Sequence, residues 1–244
     1  GDFERALEII REKGKLIANK RADRDAAEGV ALAKVTADAK FGAIVVLNCE
    51  TDFVAKNESY VAFAEKILDV AIENKVETLE ALNALELDGS TVGALVTNQT
   101  GVTGEKLDLS YYKCLADEAV VPYIHPGNKL ATLVAFNKPT EEQVGRDVAM
   151  QIAAMAPVAV DKADIPAEVV AKEIEIAKEK YRQEGKPEAM LEKIAMGSLN
   201  KWYSEVTLLN QTYVKDGKIS IKDFLKQSSA GLTVTAFDRY SLNA

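Results

Sequence analysis

Two stretches of the chain read alike, and together they restrict the fold more than any other feature. Ala43-Ile44-Val45-Val46-Leu47 ends in Asn48, crosses a loop and enters a segment of helical period from about Ser59. Leu133-Val134-Ala135-Phe136 ends in Asn137, crosses a shorter loop and enters a second such segment at Thr140-x-x-Gln143, which has the form of a capping box. Each apolar run follows strand-like pattern and turn formers. Residues 30–36 lead through 38–42 to the first run. A three-strand meander over 107–115, 120–124 and 130–136 leads to the second. A strand–loop–helix unit repeated in this way points to a duplicated core.

The helix over 59–74 places Tyr60, Ala64, Ile67, Leu68, Ala71 and Ile72 on one stripe, with Asn57 or Ser59 able to cap it. Residues 3–11 carry a short apolar face, and Gly14 reads as its stop. The basic run Lys13, Lys15, Lys20, Arg21, Arg24 suits either a phosphate or acidic partner or a solvated linker, since Asp23, Asp25 and Glu28 are close by. A small helix is expected over 78–87. Turn formers dominate 89–104, where no long element is expected. Beyond Pro166, the spacing of Val170, Ile174, Ala177 and Tyr181 has coiled-coil rhythm. Gly185-Lys186-Pro187 breaks it, and Leu191, Ile194, Ala195, Ser198 and Trp202 resume it, which predicts an antiparallel helical hairpin. The tail carries a short strand over 218–221, a helix capped by Ser220-x-x-Asp223 and a closing strand over 232–240. The fold class is therefore α+β: two duplicated subdomains of antiparallel strands packed with helices, plus an antiparallel helical hairpin. The segments expected are 1–28 (remnant N-terminal helix and linker), 29–105 and 106–165 (core subdomains), 166–206 (hairpin) and 207–244 (return to the core).

The two strand-to-helix loops differ. Asn137-Lys138-Pro139-Thr140 is a plain turn, whereas residues 48–56 are longer and set an acid beside an aromatic at Asp52-Phe53. Either Phe53 folds back onto the core while Asp52 or Asn57 caps the helix, or Thr51, Asp52, Phe53 and Val54 are a binding device that the scaffold does not itself require. No catalytic constellation competes with these readings. His125 is the only imidazole and sits in a turn beside Pro126-Gly127, and neither a nucleophile elbow nor a phosphate-binding glycine loop is present. Cys49, Cys114 and His125 are too few for a Cys/His zinc site, and the two cysteines are expected to be reduced thiols. A net charge of -8 disfavours wrapping nucleic acid, and no apolar run reaches membrane-spanning length. The residues thus point to a non-enzymatic, cofactor-free binding or regulatory protein, with self-association through the hairpin as one form of it.

Asn48-Cys49-Glu50-Thr51-Asp52-Phe53-Val54-Ala55-Lys56, the pair Phe63-Ala64, the segment Ala167-Glu168-Val169-Val170-x-Lys172-Glu173 and the break Gly185-Lys186-Pro187 resemble the bacterial elongation factor Ts family. The resemblance implies a cytoplasmic guanine-nucleotide exchange factor that binds elongation factor Tu in GDP-bound and nucleotide-free states during translation elongation. It implies that Thr51, Asp52, Phe53 and Val54 reach the partner's Mg²⁺ and nucleotide site, with Phe53 as a wedge and Asp52 disturbing the groups that hold the metal. His125 and Val214 match positions near the partner's surface. No membrane, nucleic acid, metal or cofactor of its own is implied, and a homodimer or a 2:2 complex stays open. The chain departs from the family's pattern in three places. Of the N-terminal helical domain only the last helix is recognisable, as in a fragment or trimmed chain that opens without Met. Thr103 stands where relatives present an aliphatic contact. The family's terminal helix is not evident after Tyr240.

Overall fold

A computed structural model describes residues 2–243; Gly1 and Ala244, the outermost residues of the first and last expected segments, lie outside it. The described residues form two compact units, one of 2–135 with 237–243 and the other of 136–236. The α+β class is borne out, with antiparallel strands and helices in alternation.

In the first unit, β1 (Glu28–Val35), β2 (Phe41–Cys49) and β5 (Asp108–Ala116) form an antiparallel sheet with β2 in the centre. All nine residues of β2 are buried. A strand covered on both faces needs apolar residues without alternation, which is what the run 43–47 supplies. Val45, Leu47 and Cys49 share a core with Tyr60, Ala64, Ile67, Leu68, Ala71 and Ile72 of α3 (Glu58–Glu73), the stripe expected for that helix. On the opposite face, a Cβ on Gly42 would stand within 3.0 Å of side chains of Val35, Val120 and Leu133. Val120 and Leu133 belong to β6 (Ala119–Ile124) and β7 (Leu130–Phe136), which form a second sheet with β8 (Val234–Ser241) in the order β6-β7-β8. The meander read over 107–136 is therefore divided: β5 completes the first sheet and the two later strands build the second.

Two sequence expectations fail here for one reason. The first helix, α1 (Phe3–Lys20), does not stop at Gly14, and residues 89–104 contain a helix, α5 (Val92–Thr103). The two helices cross at their glycines. A Cβ on Gly14 would lie 2.7 Å from the Thr97 carbonyl oxygen, and one on Gly101 would lie 2.8 Å from the Cα of Gly14. Glycine serves close backbone approach here, at some cost in helix propensity. Thr91 caps α5, and Gly104, with φ 73°, ends it. Between α3 and α5 lie the small helix α4 (Leu79–Ala84), within the stretch expected for it, and the two-residue pair β3 (Glu86–Leu87) and β4 (Ser90–Thr91).

The second unit opens with α6 (Glu142–Met155). The capping box at Thr140 does not form, because Gln143 donates to Asp147 (2.7 Å) instead of reaching back, and Glu141 stands at the N-cap without a side-chain bond. Beyond it, α7 (Ala167–Gln183) and α8 (Glu188–Val206) form the expected hairpin, with Gly185 (φ 79°) at the break. Ala177, Leu191, Ala195 and Leu199 are buried, and Val170, Ile174, Tyr181, Ile194, Ser198 and Trp202 are half-buried. Ser220 caps α9 (Ile221–Ser228) as expected, accepting from the Asp223 N–H (3.1 Å). The strand expected over 218–221 reduces to a single bridge between Thr212 and Ser220, since Ile221 already begins α9.

Candidate functional site

The turn after β2 is held from below before it reaches solvent. Asn48 is buried, and its amide donates to the Glu28 carbonyl (3.1 Å) while its oxygen accepts from the Ser110 hydroxyl. Ser110 is available because the β2–β5 register slips between Val46 and Leu47, leaving it unpaired at a bulge. Tyr60 of α3 donates to the Leu47 carbonyl (2.6 Å), and burial pushes its phenol far above the ordinary range. The Cys49 thiol lies against the Thr51 carbonyl (3.2 Å), and burial likewise raises its pKa. Cys49 and Cys114 are free thiols.

Two carboxylates then fix the backbone. Glu105 accepts from the Glu50 N–H (3.2 Å), the Thr51 N–H (3.0 Å) and the Thr51 hydroxyl (2.6 Å). Glu50 in turn accepts from the Lys106 N–H (2.6 Å) and from Arg21 at the end of α1 (2.7 Å). The Lys106 N–H, aided by the Arg21 guanidinium, holds the Glu50 carboxyl below its ordinary range. Thr51 caps a single helical turn, α2 (Asp52–Ala55), by accepting from the Val54 N–H (3.4 Å). The expected loop is thus a helical turn, and Asn57 caps α3 separately by accepting from the Ser59 N–H (2.9 Å).

The four residues singled out by sequence divide two and two. Thr51 and Val54 face inward: the first bonds Glu105 and the second packs on the α3 core. Asp52 and Phe53 face outward. Phe53 is 83% exposed, so it does not fold onto the core. Asp52 pairs with Lys56 (2.6 Å), whose hydrogen bond and charge lower the Asp52 pKa, with a smaller contribution from Lys129. An exposed aromatic ring on a fixed turn beside an ionised acid has no general acid or base to work with. It can, however, enter a partner's apolar crevice and confront its cations.

His125 lies exposed in the turn between β6 and β7, its Nδ1 3.0 Å from the Tyr123 hydroxyl. Val214, in the second unit, is 49% exposed, and its N–H donates to the buried Gln151 (3.0 Å). Thr103 is half-buried and bonds the Gln99 carbonyl (3.1 Å). Sequence reasoning missed Arg21, Glu50 and Glu105 as the supports of the turn. Among the described residues no helix is long and apolar enough to cross a membrane, and no three His, Cys, Asp or Glu cluster as a metal site.

The family model described as Elongation factor TS matches residues 50–244. Curated relatives named Elongation factor Ts align over the whole of this chain. The protein from Azobacteroides pseudotrichonymphae is 51% identical over 244 residues, covering 88% of its own length. That from Porphyromonas gingivalis is 49% identical, with 88% of its length covered, and that from Amoebophilus asiaticus is 49% identical, with 89% covered. The chain belongs to the elongation factor Ts family, the nucleotide-exchange factors that act on elongation factor Tu in translation elongation.

Proposed function

We propose that this chain performs exchange through the turn after β2, with Phe53 and Asp52 as the groups that reach the nucleotide site of elongation factor Tu. The observation that carries the reading is the Phe53 ring, exposed on a turn whose backbone is bonded on several sides. In the partner, Mg²⁺ neutralises the diphosphate. Phe53 wedges apart the elements around the site, and Asp52 competes for the groups that hold the metal, so GDP leaves faster. No bond of the nucleotide is made or broken.

By linkage, the factor weakens nucleotide binding by as much as the nucleotide weakens binding of the factor. Inverting a mostly occupied site takes roughly 5.5 kcal/mol of differential binding. One ring and one acid fall short of that, so contacts made elsewhere, with His125 and Val214 as candidates, supply the rest. The chain meets its partner both GDP-bound and nucleotide-free, in the cytoplasm where translation runs. The core segments over 29–165, the hairpin and the returning tail each carry such contacts. Release of a fluorescent GDP analogue from the matching factor Tu tests the reading. The unmodified chain accelerates release and Phe53→Ala slows it; equal rates for the two would remove the turn from the mechanism.

Self-association through the hairpin is a second reading, favoured by the exposure of Val169 and Ile176 on α7 and of Met190 and Met196 on α8. It predicts a dimer by light scattering that Ile176→Glu dissolves, and it is compatible with a 2:2 complex.

A further inference from the structure

We propose that Glu105 is the positioning residue of the exchange turn: it sets the direction in which Phe53 points without touching the partner. The proposal rests on the reading of Phe53 as the wedge. The β2–β5 ladder ends at the pair Asn48 and Asp108. Beyond that point only Cys49 stays in the sheet, paired with Glu28 of β1, and the N–H groups of Glu50, Thr51 and Lys106 have no ladder partner between β2 and β5. Two acids replace the ladder in a crossed arrangement. The Glu105 carboxylate takes the N–H groups of residues 50 and 51, and the Glu50 carboxylate takes the N–H of residue 106. Each acid thus holds the backbone from which the other one projects.

The Thr51 hydroxyl carries this arrangement into the turn. It has one proton, which it donates to Glu105 at 2.6 Å. With the proton so committed, a lone pair faces the Val54 N–H and caps α2. A four-residue helix is far below the length at which helices sustain themselves, so α2 depends on its cap and on its packing. The Phe53 ring is exposed and has little packing of its own to orient it, so its direction follows from the backbone of α2. Glu105 therefore determines where the wedge points, although it lies 54 positions from Thr51 in sequence.

A plain structural role for Glu105 and a positioning role differ in what they do to exchange. Glu105→Gln keeps the shape but turns an amide group towards backbone N–H donors. The maximal GDP release rate at saturating exchange factor is expected to fall about 10-fold, the size of a lost charge-assisted bond. The concentration giving half-maximal rate should shift less than about 3-fold, because the rest of the docking surface is untouched. In a Phe53→Ala background the same substitution should slow release by less than about 2-fold, since residues acting as a unit are not additive. Thr51→Val, which removes the hydroxyl and keeps the shape, should reproduce the pattern and serves if Glu105→Gln does not fold. Amide exchange at residues 50, 51 and 54 should quicken in both variants while the β2 amides stay protected. An undiminished effect of Glu105→Gln in the Phe53→Ala background would overturn the proposal, as would an unaltered maximal rate in Glu105→Gln. If Phe53→Ala itself leaves release unchanged, the wedge reading fails, and the proposal falls with it for a distinct and visible reason.

Discussion

The junctions that follow β2 and β7 begin alike and end differently. Near the end of each strand an asparagine, Asn48 within β2 and Asn137 just past β7, fastens it to its surroundings. Asn48 bonds the Glu28 carbonyl and the Ser110 hydroxyl, while Asn137 bonds the Gly231 carbonyl (2.9 Å) and the Thr233 N–H (2.9 Å). After Asn137, Lys138 reaches the Ala230 carbonyl (2.8 Å), and α6 starts within a few residues. After Asn48 the chain inserts a capped helical turn clamped by Glu50 and Glu105. The shared part is what joining a strand to a helix requires. The part found only after β2 puts an aromatic ring in water, which folding does not require.

Paired substitutions test that division. The largest expected effect is on exchange: Asp52→Ala with Phe53→Ala should slow GDP release about 100-fold, the scale of interface anchors, while Lys138→Ala with Pro139→Ala should stay within about 2-fold. Comparable losses from the two pairs would dissolve the distinction. The asparagines should behave alike in denaturant titrations. Asn48→Ala is expected to cost about 2 kcal/mol and the less buried Asn137→Ala about 1 kcal/mol. The threonines should not: Thr51→Ala loses a cap and its bond to Glu105 for about 1 kcal/mol, whereas Thr140→Ala stays within about 0.5 kcal/mol, because Thr140 caps nothing.

Acid should also test the first junction. Glu50 and Asp52 have lowered pKa values, so their contributions are present above the ordinary carboxylate range and disappear as pH falls through the lowered values. Amide shifts at residues 50–56 should therefore hold steady down to about pH 4 and move only as pH falls further, and movement at higher pH would count against the clamp. The smallest effect is the most telling: Phe53→Ala should change the free energy of unfolding by no more than about 0.5 kcal/mol, since the ring contributes little to the core.

The parts of this design that were legible in the sequence are those written in neighbouring residues. The apolar run of β2, the stripe of α3, the rhythm of the hairpin and the Asp52-Phe53 pair all sit within one element or one turn. Glu105 and Arg21 were not legible, because the residues they hold lie 54 and 29 positions away and nothing local marks an acid as a backbone acceptor. The α5 helix escaped because Thr100 and Gly101 occupy buried positions where a helix ordinarily shows large apolar residues. Its ends were nevertheless marked by Thr91 and Gly104. The capping box at Thr140 shows the opposite error, a local pattern outweighed by the bond from Gln143 to Asp147.

The crossing of α1 and α5 bears on how firmly the turn is mounted. The helices meet through the Cα atoms of Gly14 and Gly101, so no side chain at the contact can change rotamer to let one slide past the other. From that pin, seven positions lead along α1 to its C-cap Arg21, a rod of roughly 10 Å at helical rise. The guanidinium at its tip meets Glu50. The mounting of Phe53 therefore extends to α1 through backbone and a charged pair, with hardly a soft joint along the way.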